Sequence, residues 1–287
     1  MNVALVTGTS TGIGRATAIS LARKGYAVHA GMRNLGAAAP LTKAAAAEKL
    51  SITPFEMDVD DDRSVERGVA GVLEGEGRID VLVNNAGVGG GGSVEQTPLA
   101  WFRQVMETNF FGLVRCTQAV IPVMRRQKSG FIANMSSVAG RMAIAPQAAY
   151  SASKFAIEAL SECLAQEMRP FGVRVALIEP GIIATPIFGK GDPNLMADPA
   201  YPQGHRLLAF FGVLLPNASS PFEVGDLIAD LAESGDDRLR HPVGCMASEI
   251  LEWREGMSDA EWVALGGLTD AEYVADTKAR LGLDLKL

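Results

Sequence analysis

The segment Val3-Ala4-Leu5-Val6-Thr7-Gly8-Thr9-Ser10-Thr11-Gly12-Ile13-Gly14 decides the fold of this chain. It opens with a short apolar run typical of a buried β-strand, and a glycine-rich turn follows directly. A strand, such a turn and a helix beginning near Ile13 direct backbone N–H groups towards a pyrophosphate. We predict that Gly8 permits the tight turn, that Gly12 lets the backbone approach the phosphates, and that Gly14 lets helix and strand pack closely.

Ser10 and Ile13 complete the predicted cofactor-binding residues of this loop. The spacing Gly-x-x-x-Gly-x-Gly differs from the Gly-x-Gly-x-x-Gly pattern of many dinucleotide sites. Three glycines in a short segment also occur in mobile loops, and the segment alone does not separate the two interpretations. Its position directly after a strand of buried type favours a nucleotide site.

Apolar runs of strand type alternate with helical segments along the rest of the chain. This alternation predicts an α/β fold, a Rossmann-type doubly wound parallel sheet with helices on both faces. We expect the strand order 3-2-1-4-5-6 and ligands at the carboxyl ends of the strands, where the order reverses. The predicted strands are 2–7, 26–32, 52–57, 79–83, 130–135, 173–179 and 239–243, and the predicted helices include 13–24, 61–74, 99–126, 148–170 and 221–233.

Tyr150, Lys154 and Ser137 carry the groups that pass a proton to or from a carbonyl oxygen. Tyr150 and Lys154 stand four residues apart, so on a helix they share one face with about 6 Å of rise between them. We expect the lysine charge to lower the tyrosine pKa towards the working pH, where a general acid/base is most effective. Because a Tyr four residues before a Lys also arises by chance, the pair gains weight only together with the glycine loop.

The whole set of motifs resembles the short-chain dehydrogenases/reductases, in their compact single-domain branch, over roughly residues 1–245. The resemblance implies a seventh strand in the sheet and a catalytic role for four residues. These are Asn109, Ser137, Tyr150 and Lys154. The other matching positions are 7–14, Asp58, Asn84 to Gly87, Pro180, Gly181 and Thr185.

The remaining predicted contacts follow from these positions. Asp58, with Val59 beside it, is expected at the adenine, although a carboxylate there could instead cap the next helix. The resemblance implies that Asn109 binds a water molecule that relays protons to Lys154. The alternative is a plain polar contact between Asn109 and the backbone. The segment Asn85, Ala86 and Gly87 is expected to line the cofactor cleft, and Pro180, Gly181, Ile183 and Thr185 are expected at the nicotinamide end.

Charge near the second strand predicts the cofactor. An NAD site needs an acidic residue at the end of that strand to hold the ribose 2′-hydroxyl. Met32 stands there, Arg33 follows, and the first acidic residue of the whole chain is Glu48. Arg33 would bind a 2′-phosphate through charge-assisted hydrogen bonds, so we predict NADP(H). A surface arginine without a role is the competing interpretation.

The segment from about 186 to 220 is expected to be a lid over the substrate. It is rich in large apolar residues and poor in charges, which favours a lipophilic ketone, aldehyde or alcohol. A lid helix that merely covers the sheet would have the same composition. Residues 246–287 are expected to form a helical extension of the same domain, since Ser258-x-x-Glu261 and Thr269-x-x-Glu272 are both capping boxes. Trp253 and Trp262 would close the cleft or pack on a neighbouring subunit.

Composition narrows the class of protein further. The net charge of −7 argues against a nucleic-acid partner, and no apolar stretch is long enough for a membrane span. Three widely spaced cysteines and three histidines outside any ligand cluster predict free thiols in a reducing compartment and no metal site. Because Met1 leads straight into the first strand, we expect no signal peptide and a cytoplasmic protein.

These observations predict an NADP(H)-dependent oxidoreductase that interconverts a carbonyl and an alcohol, with Tyr150 as general acid/base. The alternative from another class is a regulatory protein that binds NADP(H) without turnover. A sugar-nucleotide epimerase is disfavoured by the glycine spacing and by the lack of a large carboxyl-terminal substrate domain. We expect a homodimer or homotetramer built through helices 148–170 and 99–126, with a monomer as the alternative.

Overall fold

The fold is a parallel β-sheet covered by helices on both faces, as predicted. The computed structural model describes residues 1–189, 198 and 200–287. Within these residues the sheet has seven strands in the order β3-β2-β1-β4-β5-β6-β7, and every neighbouring pair is parallel. The strands are β1 Val3–Thr7, β2 Ala27–Met32, β3 Ile52–Glu56, β4 Val81–Asn84, β5 Gly130–Met135, β6 Val173–Pro180 and β7 Arg240–Val243.

The helices pack on the sheet through two separate apolar layers. Along β1, Ala4 and Val6 belong to one layer and Val3 and Leu5 to the other, because successive side chains of a strand point to opposite faces. The helices are α1 Gly12–Arg23, α2 Ala39–Glu48, α3 Asp62–Glu76, α4 Leu99–Met106, α5 Gly112–Gln127, α6 Ala148–Met168, α7 Gln203–Leu214, α8 Pro221–Ser234, α9 Ala247–Glu255, α10 Asp259–Ala264 and α11 Asp270–Leu281.

The prediction of one continuous regular helix over 99–126 is wrong. The structure divides it into α4, a π-helical turn Glu107–Phe111, and α5. Wide turns of this kind often mark functional positions in helices, and this one carries Asn109. Helix α2 was not predicted, although its alanine-rich sequence has high helix propensity and Leu41 buries it against the sheet.

Residues 246–287 form a layer of helices at the end of the molecule that carries α7. Both capping boxes are formed as predicted, at Ser258 with Glu261 and at Thr269 with Glu272. Trp253 is buried, its ring centroid lies 5.1 Å from that of Trp262, and the Trp262 indole donates to the Ala143 carbonyl at 3.0 Å. Both tryptophans therefore pack within this chain. No helix among the described residues is long and apolar enough to cross a bilayer.

Candidate active site

A cavity of about 510 Å³ lies at the carboxyl edge of the sheet. This volume is in the range of small-molecule and cofactor sites. Of the predicted site residues, all within the described part of the chain, Asn109 alone is not among those that line it. The predicted residues that line the cavity are Gly8, Ser10, Gly12, Ile13, Gly14, Arg33, Asp58, Val59, Asn85, Ala86, Gly87, Ser137, Tyr150, Lys154, Pro180, Gly181, Ile183 and Thr185.

The glycine loop forms a backbone cradle at one end of the cavity. Gly8 has a φ of +69°, and a Cβ there would lie 2.7 Å from the Ala86 Cα. A Cβ on Gly14 would lie 2.4 Å from the Gly8 carbonyl oxygen, so any larger residue would displace the loop. The Asn85 amide fixes the same loop by donating to the Thr7 and Gly8 carbonyls at 2.8 and 3.2 Å.

The amino terminus of α1 opens on this cradle. In this described segment the N-cap residue Thr11 makes no side-chain hydrogen bond, and the first turn carries no acidic residue. The first N–H groups of a helix lack intrahelical acceptors and carry a partial positive charge. The loop residues therefore fit the pyrophosphate of a dinucleotide.

Met32 and Arg33, on which the cofactor prediction depends, both line the cavity. Met32 is buried at the end of β2, while Arg33 is exposed and lines the cavity. Asp61, not Asp58, caps α3 by accepting from the Ser64 N–H at 2.6 Å, which removes the helix-cap alternative for Asp58. Asp58 accepts from the Asp60 N–H at 3.1 Å and stays in the cavity wall.

Ser137, Tyr150 and Lys154, the residues predicted to transfer the proton, line the same cavity. Helix α6 places Tyr150 and Lys154 on the face towards the cavity, and the Lys154 Nζ lies 5.5 Å from the centre of the Tyr150 ring. The Lys154 ammonium donates to the Met135 carbonyl at 2.7 Å. Ser137 follows β5, accepts from the Ala139 N–H at 3.1 Å, and lowers the pKa of the Tyr150 phenol. A hydroxyl, a phenol and an ammonium thus converge on one wall.

The expected direction of the Tyr150 pKa is wrong for this structure. Burial raises the pKa of Tyr150 above its ordinary value, and the hydrogen bond with Ser137 offsets only part of the rise. Burial also lowers the pKa of Lys154 to about 8, with the carboxylate of Glu158 acting against that fall. Burial and Ser137 set the direction of the Tyr150 shift, while the Lys154 ammonium donates to the Met135 carbonyl. Tyr150 is therefore a neutral phenol at neutral pH, the form that can donate a proton.

Asn109 holds neighbouring residues of the site in position through hydrogen bonds. Its side-chain oxygen accepts from the Val88 N–H at 2.8 Å, and its amide donates to the Val88 carbonyl and the Ser153 hydroxyl, both at 3.0 Å. The Ser153 hydroxyl in turn donates to the Tyr150 carbonyl at 2.7 Å. These bonds match the backbone-contact alternative and tie Val88, which lines the cavity, to the start of α6. The water relay through Asn109 stays a prediction.

Sequence reasoning missed a charged cluster behind Lys154. Glu158 lies on α6 one turn after Lys154, and its Oε2 accepts from the Arg240 Nε at 2.9 Å. Glu179 on β6 is fully buried and has no hydrogen-bond partner among the described residues. Burial, with Glu158 next in effect, raises the pKa of Glu179 to about 7. The four-residue spacing from Lys154 was the available signal for Glu158, and an acid inside an apolar strand was the signal for Glu179.

The rest of the cavity is apolar. Phe188 and Phe211 meet edge to face with centroids 5.1 Å apart, and Ile250 of α9 completes the wall. Helix α7 is fixed to residues 246–287 because Arg206, itself buried, donates to Asp270 and to the Leu268 carbonyl. The predicted lid also contained Lys190, Asp192, Leu195 and Met196, which lie outside the described residues. The apolar lining residues are Val138, Met142, Ile144, Ile187, Phe188, Leu207, Leu208, Phe210, Phe211 and Ile250.

Comparison with known proteins identifies the family. A family model described as short chain dehydrogenase matches residues 2–195. The chain is 37% identical over 251 residues to 17-beta-hydroxysteroid dehydrogenase type 1 of Mus musculus, covering 83% of this chain and 72% of that protein. The chain therefore belongs to the short-chain dehydrogenase family of oxidoreductases.

Solved structures agree with this assignment. A short-chain dehydrogenase from Streptomyces avermitilis superimposes with a TM-score of 0.79 at 34% identity, covering 94% of this chain and 98% of that chain. A variant of actinorhodin polyketide ketoreductase, solved with NADPH, gives a TM-score of 0.73 at 29% identity, covering 82% of this chain and 91% of that chain.

Proposed function

We propose that this protein interconverts a lipophilic ketone or aldehyde and the corresponding alcohol, with NADP(H) as cofactor and Tyr150 as general acid/base. The observation that carries the proposal is the convergence of Ser137, Tyr150 and Lys154 on one wall of the cavity that also holds the glycine loop. A binding protein without turnover has no need of a buried phenol beside a hydroxyl and an ammonium.

Each residue has a defined task in the proposed reaction. The nicotinamide, when bound, supplies or accepts the hydride. Ser137 and Tyr150 hydrogen-bond the substrate oxygen, and the Tyr150 phenol donates its proton as negative charge develops there. Lys154 places a positive charge beside the ring and favours loss of that proton. In alcohol oxidation the same groups act in reverse.

Three features support NADP(H) over NAD(H). Arg33 lines the cavity and is exposed, whereas Met32 occupies the position where an acid would hold the ribose hydroxyl. The related ketoreductase was solved with NADPH. A phosphate beside Arg33 gains charge-assisted hydrogen bonds, and no carboxylate at the end of β2 opposes it.

The aromatic and aliphatic wall supports a lipophilic substrate, as does the steroid dehydrogenase named among the relatives. Leu208→Asp tests this wall, because Leu208 lines the cavity yet is 51% exposed and supports no core packing. We expect the KM for a bulky apolar ketone to rise about tenfold, since placing a charge beside the ligand forfeits apolar burial of roughly 1.5 kcal/mol. The KM for a short polar ketone should change little in the same steady-state assay.

Val263→Asp is the matched control, since Val263 is a 75% exposed apolar residue on α10 that does not line the cavity. It should leave both KM values unchanged. An equal rise for both ketones in the Leu208 variant would show that the wall does not select substrates by polarity.

We also propose a homo-oligomer in the cytoplasm. Leu99, Phe111 and Phe155 are 61%, 46% and 44% exposed on α4, the π-helical turn and α6. Large apolar groups on adjoining helices are typical of subunit interfaces. Cys116 and Cys163 are free thiols, which fits a reducing compartment.

Light scattering at micromolar concentration tests the oligomer. We expect a mass of twice or four times 30.3 kDa. Phe155→Glu should lower the mass to that of the monomer, because a buried unpaired charge opposes association. Phe171→Glu is the control: Phe171 is 36% exposed in the turn after α6, and its replacement should leave the mass unchanged. A wild-type mass near 30.3 kDa would refute the oligomer.

The regulatory alternative is tested by activity. Wild-type protein should oxidise NADPH with at least one member of a panel of ketones and aldehydes of increasing size. Tight NADPH binding without oxidation by any member would favour the regulatory protein.

A further inference from the structure

Lys154 and Glu158 hold two successive residues at the end of β5. The Lys154 Nζ donates to the Met135 carbonyl at 2.7 Å, and the Glu158 Oε1 accepts from the hydroxyl of Ser136. The two side chains stand four residues apart on α6 and therefore lie on the same face. Both are buried, at 5% exposure each. The ammonium and the carboxylate are thus neighbours in a region with little water.

Glu158 is fixed from two further sides. The Arg240 Nε, from β7, donates to its Oε2 at 2.9 Å. On the other side, a Cβ on Gly140 would lie 3.0 Å from the Glu158 Cγ and 2.5 Å from the Ser136 hydroxyl. The turn that begins at Ser137 therefore closes directly over Glu158. A carboxylate held in this way has one defined position relative to Lys154.

The other charged groups around Glu158 do not share its role. Glu179 of β6 has no hydrogen-bond partner among the described residues, and burial raises its pKa to about 7, so Glu179 carries a proton for much of its time at neutral pH. Arg240 instead forms its close contact with Glu158. Tyr150 faces Lys154, with its ring centre 5.5 Å from the Nζ. The other charged and titratable groups at this cluster are Glu162 of α6, Glu179 of β6, Arg240 of β7, and Arg141, which pairs with Glu179 and with Glu255 of α9.

We propose that Glu158 is a positioning residue whose carboxylate keeps Lys154 charged before any cofactor binds. The importance of that charge for turnover rests on the proposed function, but the interaction itself does not. Burial alone disfavours the ammonium, and a neighbouring carboxylate opposes this effect. Lys154 retains a pKa of about 8 with Glu158 present. Loss of the carboxylate lowers that pKa, so the lysine is neutral over more of the physiological range.

Glu158→Gln tests the interaction in the cofactor-free protein. The titration of Lys154 is followed by NMR of the lysine side-chain carbons in isotope-labelled protein, and its signal is assigned by its loss in Lys154→Arg. We expect the Lys154 midpoint to fall by about half a pH unit or more. An unchanged or higher midpoint overturns the proposal.

Glu162→Gln is the matched control. Glu162 also binds Arg240, at 2.5 Å, but its side chain is 53% exposed and lies two helical turns from Lys154. Its loss should leave the Lys154 midpoint near the wild-type value. A fall equal to that in Glu158→Gln would assign the effect to Arg240 or to general packing and overturn the proposal.

Glu158→Asp covers the case in which the glutamine variant does not fold. It keeps the charge but withdraws it by one methylene, so the Lys154 midpoint should still fall below the wild-type value. A midpoint that stays at or above the wild-type value contradicts the proposal.

Activity supplies an independent second measurement. For NADPH-dependent reduction, the alkaline limb of kcat/KM should move to lower pH in Glu158→Gln by the same amount as the NMR midpoint. A shifted NMR midpoint without any reductase activity in the wild type would sustain the proposed interaction and refute the proposed function. A fall in the NMR midpoint of Lys154 without a shift in the alkaline limb of kcat/KM would refute the link between the charge of Lys154 and turnover.

Discussion

Tyr150→Phe is expected to lower kcat for NADPH-dependent reduction by about a thousandfold or more, because the phenol is the proposed proton donor. The ring is retained, so its packing against the Lys154 side chain persists and NADPH binding should be nearly unchanged. Steady-state kinetics gives the loss of turnover, and fluorescence titration with NADPH gives the dissociation constant. Lys154→Ala should impair both quantities, since the ammonium also lies in the cavity wall.

Tyr201→Phe is the control for this experiment. Its hydroxyl binds the Glu95 carboxylate, and it does not line the cavity. This variant should keep wild-type kcat. Substantial reductase activity in Tyr150→Phe would overturn the assigned role of Tyr150.

Arg33→Ala is expected to weaken NADPH binding by about ten- to a hundredfold and to leave NADH binding almost unchanged. Only the 2′-phosphate loses a charged hydrogen-bond partner, worth roughly 1.5–3 kcal/mol. Calorimetric titration of the variant with each cofactor measures the two dissociation constants separately. The variant should therefore lose most of its preference for NADPH over NADH.

Arg126→Ala removes an exposed arginine from the end of α5, away from the cavity, and should change neither constant. Equal losses for NADPH and NADH in Arg33→Ala, or a wild-type preference for NADH, would make Arg33 a surface residue without a role in cofactor choice.

The sheet could be predicted because its inner strands are buried on both faces. Parallel strands covered by helices are almost continuously apolar, so Val3–Thr7 and Val173–Pro180 stand out from the sequence. The division of the 99–126 helix could not be predicted in the same way. It accompanies hydrogen bonds between Asn109 and Val88, which lies 21 residues earlier in the chain, and no local pattern encodes that contact.

The candidate site was predicted where short motifs carry it and missed where distant segments meet. The glycine loop and the Tyr150-x-x-x-Lys154 pair are local, and all of their predicted residues line the cavity. The pKa direction of Tyr150 depends on how deeply the surrounding elements bury it. Glu158 and Arg240 likewise meet only because α6 packs on β6, the neighbour of β7 in the sheet, and spacing along the chain does not show this.

Transfer of deuterium from labelled NADPH tests the central claim most directly. The cofactor carries deuterium at the transferable position of the nicotinamide ring, and the alcohol formed from a lipophilic ketone is analysed by mass spectrometry and NMR. We predict one deuterium on the carbinol carbon, with no such product from Tyr150→Phe. Alcohol without deuterium at that carbon, or NADPH that binds but is never oxidised, would contradict hydride transfer in this cavity.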